Sequence, residues 1–254
     1  MIRLYGFAGG AEDVDKSVLT LLEGIGTTVT IPIQFFMIEH PRGRLLFDTG
    51  MSPAAVAKPD EYPPTAKWGS RVTLEDLATS RLAEIGVRPS QIDLVANSHL
   101  HYDHCGGNAS FPDASFLIQA EELRGAMWPE PWERGSYLRA DFDLPVRWEE
   151  LDGDRDVFGD GSVVLVSTPG HTRGSQSLLV RLEHSGPVIL AQDAVFLNEN
   201  IDAILVPAVA WDLRACLRSF RKLGELRRAT GARLVPGHDM KAWDAFARAP
   251  GFYD

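Results

Sequence analysis

Several kinds of residue and segment are scarce in this chain, and each scarcity removes a class of protein. Two cysteines, Cys105 and Cys216, among 254 residues are too few for a disulfide framework, so both are expected to be free buried thiols. No apolar run reaches the length of a membrane span. The opening MIRLYGFAGG has one basic residue and no apolar stretch of the signal-peptide kind, which reads as a cytoplasmic protein. Basic residues are in the minority, 25 Lys and Arg against 35 Asp and Glu, and the formal charge of −10 argues against a nucleic-acid groove or an anionic membrane surface as partner. Repeats, low-complexity tracts and linker-like composition shifts are missing too, so residues 1–254 are expected to form a single domain.

What remains is ordinary globular material, 44% hydrophobic and 24% charged, enough for a sizeable core. TTVTIPIQFFMIEH and GRLLFDTG are β-rich runs separated by the turn PRGR. Residues 51–70, with Pro53, Pro59, Pro63 and Pro64, read as an irregular loop. A helix is predicted over 74–85, capped by Thr73 with Asp76, burying Leu74, Leu77, Leu82 and Ile85 and ending at Gly86. A second is predicted over 213–229, opening after Asp212, with Leu213, Cys216, Leu217, Phe220, Leu223 and Leu226 toward the core.

Four further apolar runs end on a residue able to bind metal: IDLVANSH at His99, SVVLVSTPGH at His171, VILAQD at Asp193 and ARLVPGH at His238. Strands lying side by side with these ends at one edge would bring the ligands together. The first run continues into SHLHYDHCGGN, so that His99, His101, Asp103 and His104 fall within six positions. Alternate residues of an extended segment point the same way, so His99 and His101 can chelate one ion, and Asp103 and His104 can reach a second from the following turn. Gly106 and Gly107 are expected to let the chain turn where a side chain would clash. Five of only seven histidines belong to this constellation; His40 and His184 receive no role.

LLFDTG at 45–50, SHLHYDHCGGN, STPGHTRGSQSLLV, QDAVFLNEN and PGHD at 236–239 together resemble the metallo-β-lactamase superfamily, and within it the N-acyl-homoserine lactonases, over nearly the whole chain. The resemblance implies an α/β fold, the αββα sandwich of two mixed β-sheets with helices outside. It implies that His99, His101 and His171 hold one metal, that Asp103, His104 and His238 hold the other, and that Asp193 bridges them. Two divalent ions about 3.5–4 Å apart can share a water and ionise it near neutral pH, giving a hydroxide that attacks the lactone carbonyl. Asp103 and Asp193 are then the catalytic carboxylates, Asp103 also moving a proton to the leaving oxygen. Zinc suits these donors best, and cobalt, manganese or iron would also be accepted. Asp48 is a candidate acceptor for a ligating imidazole. Cys105 is read as a packing residue rather than a nucleophile. Relatives suggest a homodimer.

Substrate identity is left to the loops. Tyr102, Phe196, Trp68, Trp128 and Trp132 are the candidate pocket residues, on the expectation of an apolar, aromatic-lined cleft for an acyl chain or aromatic lactone. At Phe196 the resembling lactonases usually carry a tyrosine whose phenol contacts substrate. The chain's expected function is therefore a lactonase for N-acyl-homoserine lactones. Alternatives on the same site are a different ring of the pyridoxolactone kind, or an aryl ester or phosphotriester. Glyoxalase II is disfavoured because 16 residues follow His238, too few for a helical glutathione-binding region. A non-catalytic metal-binding domain is disfavoured by a ligand set without cysteine.

Overall fold

Long β-branched and aromatic runs make the first half of the chain a sheet. In the computed structural model, which describes residues 1–62 and 69–254, β1 (Arg3–Asp15), β2 (Thr28–His40), β3 (Gly43–Phe47), β4 (Leu94–Ala96), β5 (Ser115–Gln119) and β6 (Arg147–Leu151) lie in that order. The β1–β2 and β2–β3 pairs are antiparallel and the rest parallel. The second sheet has the order β11 (Arg233–Pro236), β10 (Val188–Gln192), β9 (Gln176–Val180), β8 (Val163–Ser167) and β7 (Arg155–Asp156), with only β10–β11 parallel. Both sheets are mixed, as expected.

Their facing sides make the main core: Leu4, Phe36, Ile38, Leu45 and Phe47 from one sheet meet Leu165, Leu178, Val180, Leu190 and Val235 from the other. The outer face of the first sheet is covered by Ala78 and Leu82 of the helix Ala78–Glu84. Cys216, Phe220 and Leu223 of the helix Leu213–Thr230 cover the outer face of the second. This is the four-layer helix–sheet–sheet–helix sandwich. Among the described residues no helix is long and apolar enough to cross a membrane.

The predicted helix over 213–229 is present: Asp212 accepts from the Arg214 and Ala215 amides at its start, and Gly231 ends it in the left-handed region. Leu213, in its first turn, is largely exposed rather than core-facing. The helix predicted over 74–85 divides into a 3-10 turn, Leu74–Asp76, and the helix Ala78–Glu84, because Leu77 is extended with ψ of 143°. Thr73 and Asp76 do pair, the Thr73 amide and hydroxyl both donating to Asp76 Oδ2. The break turns Leu74 outward to 63% exposure while Leu77 and Leu82 stay buried. The stretch read as a loop contains a short helix, Pro53–Ala57, in which Ser52 caps and Pro53 occupies the first turn. Proline is tolerated there because that amide has no helical partner anyway.

Candidate metal centre and substrate cleft

The strands deliver their terminal residues to the seam between the sheets. The four strands do not lie in one row: β4 belongs to the first sheet and β8, β10 and β11 to the second, with β9 between β8 and β10. Convergence therefore happens across the sandwich rather than along one edge. Within each sheet, parallel neighbours bring successive loops side by side. Asp48 follows β3 and His99 follows β4, while Asp193 follows β10 and His238 follows β11. Gly106 and Gly107 lie in the turn that follows the short helix Tyr102–Cys105, both with right-handed helical angles. They permit close approach, since a Cβ on Gly106 would lie 2.3 Å from the Ser52 nitrogen and one on Gly107 2.4 Å from the Thr49 carbonyl oxygen.

All seven sequence-predicted ligands are buried and meet there. His171 Nε2 lies 3.2 Å from His99 Nε2 and 3.0 Å from His101 Nδ1. Nitrogens about 2.0–2.1 Å from one tetrahedral ion would be about 3.3 Å apart, so these three face a common point at close to ligand spacing. On the other side, His104 Nε2 is 3.2 Å from Asp103 Oδ2, and His238 Nε2 is 3.8 Å from the same oxygen. Asp193 lies between the groups. Its Oδ1 is 3.1 Å from His104 Nε2 and 3.2 Å from His238 Nε2, and its Oδ2 is 3.3 Å from His171 Nε2.

The far ring nitrogens fix which lone pairs point inward. His171 Nδ1 donates to the Val209 carbonyl at 2.9 Å and His238 Nδ1 to the Pro32 carbonyl at 2.9 Å. His104 Nδ1 donates to Asp48 Oδ2 at 2.8 Å, and His99 Nδ1 to Ser98 Oγ, whose own proton goes to Asp48. In the neutral tautomer that these contacts select, Nε2 is the bare nitrogen and its lone pair faces inward. Among the described residues His104 Nε2 and Asp193 Oδ1 are buried without a hydrogen-bond partner, which an ion between them would supply. Burial, reinforced by the neighbouring imidazoles, pushes His99 and His101 well below the ordinary histidine pKa. At His104 burial acts the same way, but Asp103, Asp193 and Asp48 overcome it and hold the ring well above. Asp193 and Asp103 likewise outweigh burial at His238 and push it up to about 9. The carboxylate-rich side thus attracts positive charge, and five imidazoles with two carboxylates suit zinc or a similar divalent ion.

Comparison with known proteins agrees with this geometry. Residues 31–238 match the metallo-beta-lactamase superfamily. The chain belongs to that superfamily. The N-acyl homoserine lactonase AttM of Azorhizobium caulinodans is 35% identical to it over 265 residues, covering 100% of this chain and 99% of that protein. The N-acyl homoserine lactonase of Bacillus cereus is 31% identical over 242 residues, 94% of each chain. A solved structure of an N-acyl homoserine lactone hydrolase, with N-hexanoyl-L-homoserine bound at its catalytic metal centre, is similar with a TM-score of 0.89, 28% identity and 98% coverage of both chains.

In this metallo-β-lactamase-superfamily chain, a solvent-open cleft of about 500 Å³ lies over the ligand cluster. Its floor includes His101, Asp103, His171, Asp193 and His238, and its wall is formed by Val14, Val18, Leu19, Ile31, Phe196 and Val209. Phe196 stacks on His238, with ring centroids 5.4 Å apart and 16° between planes, and meets His171 edge-on. Tyr102 also lines the cleft, its hydroxyl donating to Glu12. Trp128 and Trp132 do not line it: they are 73% and 72% exposed, and the Trp128 indole lies against the Arg139 guanidinium on the outer surface. Pro129 and Pro131 interrupt that segment after the helix Ala120–Met127, leaving the indoles on the outside. Trp68 lies outside the described residues. Cys105 and Cys216 are free and buried, and burial pushes the Cys105 thiol well above its ordinary range, consistent with packing.

Glu12 was not anticipated from sequence, nor were Val14, Leu19 and Ile31. Burial, then the Asp103 carboxylate, push Glu12 up to about 7. Glu122 was missed as well. It is fully buried, and its carboxylate accepts from the amides of Leu100 and Gly174, tying the loop of His99 and His101 to that of His171. Both acids sit in short charged stretches, EDVD and AEEL, that read as solvated surface.

Proposed function

We propose that this hydrolase opens the lactone ring of N-acyl-homoserine lactones. The observation that carries the reading is the split carboxylate of Asp193, one oxygen toward His104 and His238 and the other toward His171, at the foot of a cleft with an apolar wall. That arrangement suits two divalent ions, zinc first, with His99, His101 and His171 holding one, Asp103, His104 and His238 the other, and Asp193 shared. When bound, such a pair supplies Lewis acidity for an ester carbonyl and a water acidic enough to ionise near neutral pH. Ring opening adds water across the acyl C–O bond: the water oxygen ends in the new carboxylate and a proton ends on the leaving hydroxyl. Asp103, on the cleft floor, is placed to carry that proton. The apolar wall suits an acyl chain. Residues 1–254 then form one domain, and two unpaired thiols fit a cytoplasmic location.

The test is a pH-indicator assay on zinc-loaded protein, comparing short- and long-chain N-acyl-homoserine lactones with simple γ- and δ-lactones and an aryl phosphotriester. Efficient opening of the homoserine lactones, lost on chelation, is expected. Turnover confined to another ester would move the substrate while keeping the site. That second reading is favoured by one observation, the phenyl ring of Phe196 where the resembling lactonases usually carry a tyrosine. His104→Ala and Asp193→Asn are each expected to lose most activity together with one metal equivalent. Unchanged metal content and turnover in both would remove the ligand assignment.

A further inference from the structure

Glu12 is outside the ligand set, yet it is buried and lines the cleft. A carboxyl in a wall of Val14, Leu19, Ile31 and Phe196 is costly to bury unless it is hydrogen-bonded. The strand register explains how it arrives there. Phe7 pairs with Phe35 and Glu12 with Ile31, and the register shifts between Ala8 and Ala11. Cross-strand partners share a face, and Phe35 and Ile31 are four apart on β2. Phe7 and Glu12 therefore share a face although five apart, because the bulge inserts one residue. Gly10, in the bulge, has φ of 114°, and a Cβ there would lie 2.7 Å from the Arg71 carbonyl oxygen.

Among the described residues, Tyr102 and Ser70 hold the carboxyl. The Tyr102 hydroxyl lies 3.1 Å from both Oε1 and Oε2, and Ser70 Oγ donates to Oε1. Two hydrogens are thus shared among the roughly four acceptor positions that a carboxylate offers. Among the described residues Oε2 has only its share of the phenol, on a residue that lines the cleft. A substrate seated in the cleft that donates a hydrogen bond to this oxygen would offset the cost of burying it.

We propose that Glu12 is a specificity-determining residue, accepting a hydrogen bond from an N–H beside the lactone ring. The cleft then selects lactones that carry an amide donor over lactones of equal size that lack one. The inference rests on the lactonase reading above and concerns only the group next to the ring.

The test uses zinc-loaded full-length protein at about pH 8. It compares N-hexanoyl-homoserine lactone with its carba counterpart, in which a CH2 replaces the amide N–H. Wild type is expected to show kcat/KM about tenfold or more higher for the amide. In Glu12→Val the ratio is expected to fall toward one, through loss on the amide substrate. Glu12→Gln keeps the shape and an acceptor for Tyr102 but places an amide donor where an oxygen stood, and the preference is expected to fall there too. Equal turnover of the two lactones by wild type overturns the assignment, leaves the lactonase reading intact and requires no variant to fold. A preference undiminished in either folded variant overturns it as well. If wild type opens neither lactone but hydrolyses another ester, the lactonase reading fails and this inference fails with it.

Discussion

Asp48 adopts a φ of 63°, a conformation a non-glycine residue rarely takes, with its carboxylate buried beneath the His104 ring. It accepts from the Ser98 amide, the Ser98 hydroxyl, His104 Nδ1 and the Gln192 side chain, so one carboxylate ties the first ligand loop to the end of β10. Asp48→Asn replaces one acceptor oxygen by a donor facing these donors. Zinc affinity, measured on the metal-free protein by chelator competition, is expected to fall by about 10- to 100-fold. Phe196→Tyr tests the opposite change, since it adds a donor to a ring that touches ligands of both groups. kcat on homoserine lactones is expected to rise, and an unchanged or lower kcat would show that the cleft works without the phenol. The convergence of the seven candidate ligands was legible because their residue types are unusual and they lie on the segments that follow apolar strands. Glu12 was not legible: acidic residues next to glycines signal a solvated edge, and only the register of β1 against β2 turns this one inward.

Short or glycine-diluted elements were the hardest to read. The helix Leu213–Thr230 announced itself by its apolar period and its Asp212 cap. β1 did not, because Gly6, Gly9 and Gly10 dilute its β character, and the helix Pro53–Ala57 was hidden by a proline that in fact starts it. Another such element, the helix Arg139–Phe142, carries Asp141 into a buried position where it accepts from the Tyr62 hydroxyl. Burial pushes this carboxyl from 3.8 up to about 7. An acid with a raised folded pKa binds its proton more tightly folded than unfolded. It therefore favours the fold at low pH, and the benefit is lost as pH rises from about 4 through 7. Asp141→Asn removes the ionisation. Its melting temperature is expected to exceed that of wild type by a few degrees at pH 8, and the gain should vanish near pH 4. Equal melting temperatures at pH 8 would show that Asp141 ionises in the fold without cost.

On the scale of the whole molecule, the candidate centre lies where two sheets are pressed together, and the ions it suits would bind the folded state preferentially. Chelation is expected to lower the melting temperature along with activity, and added zinc to restore both. Calorimetry with and without chelator measures this, and an unmoved transition would count against tightly held ions. The sandwich was readable from sequence through family resemblance more than through pattern, since no periodicity says which strands share a sheet.

The two sheets are also consecutive in the chain: residues 3–151 build one and 155–236 the other. His99, His101, Asp103 and His104 come from the first stretch, His171 and Asp193 from the second, and His238 from just after it. A cut between Leu151 and Arg155 would therefore yield two fragments, each with an intact sheet and an incomplete donor set. Their reassembly would be expected to respond to divalent ion concentration, making the pair a split reporter for available zinc.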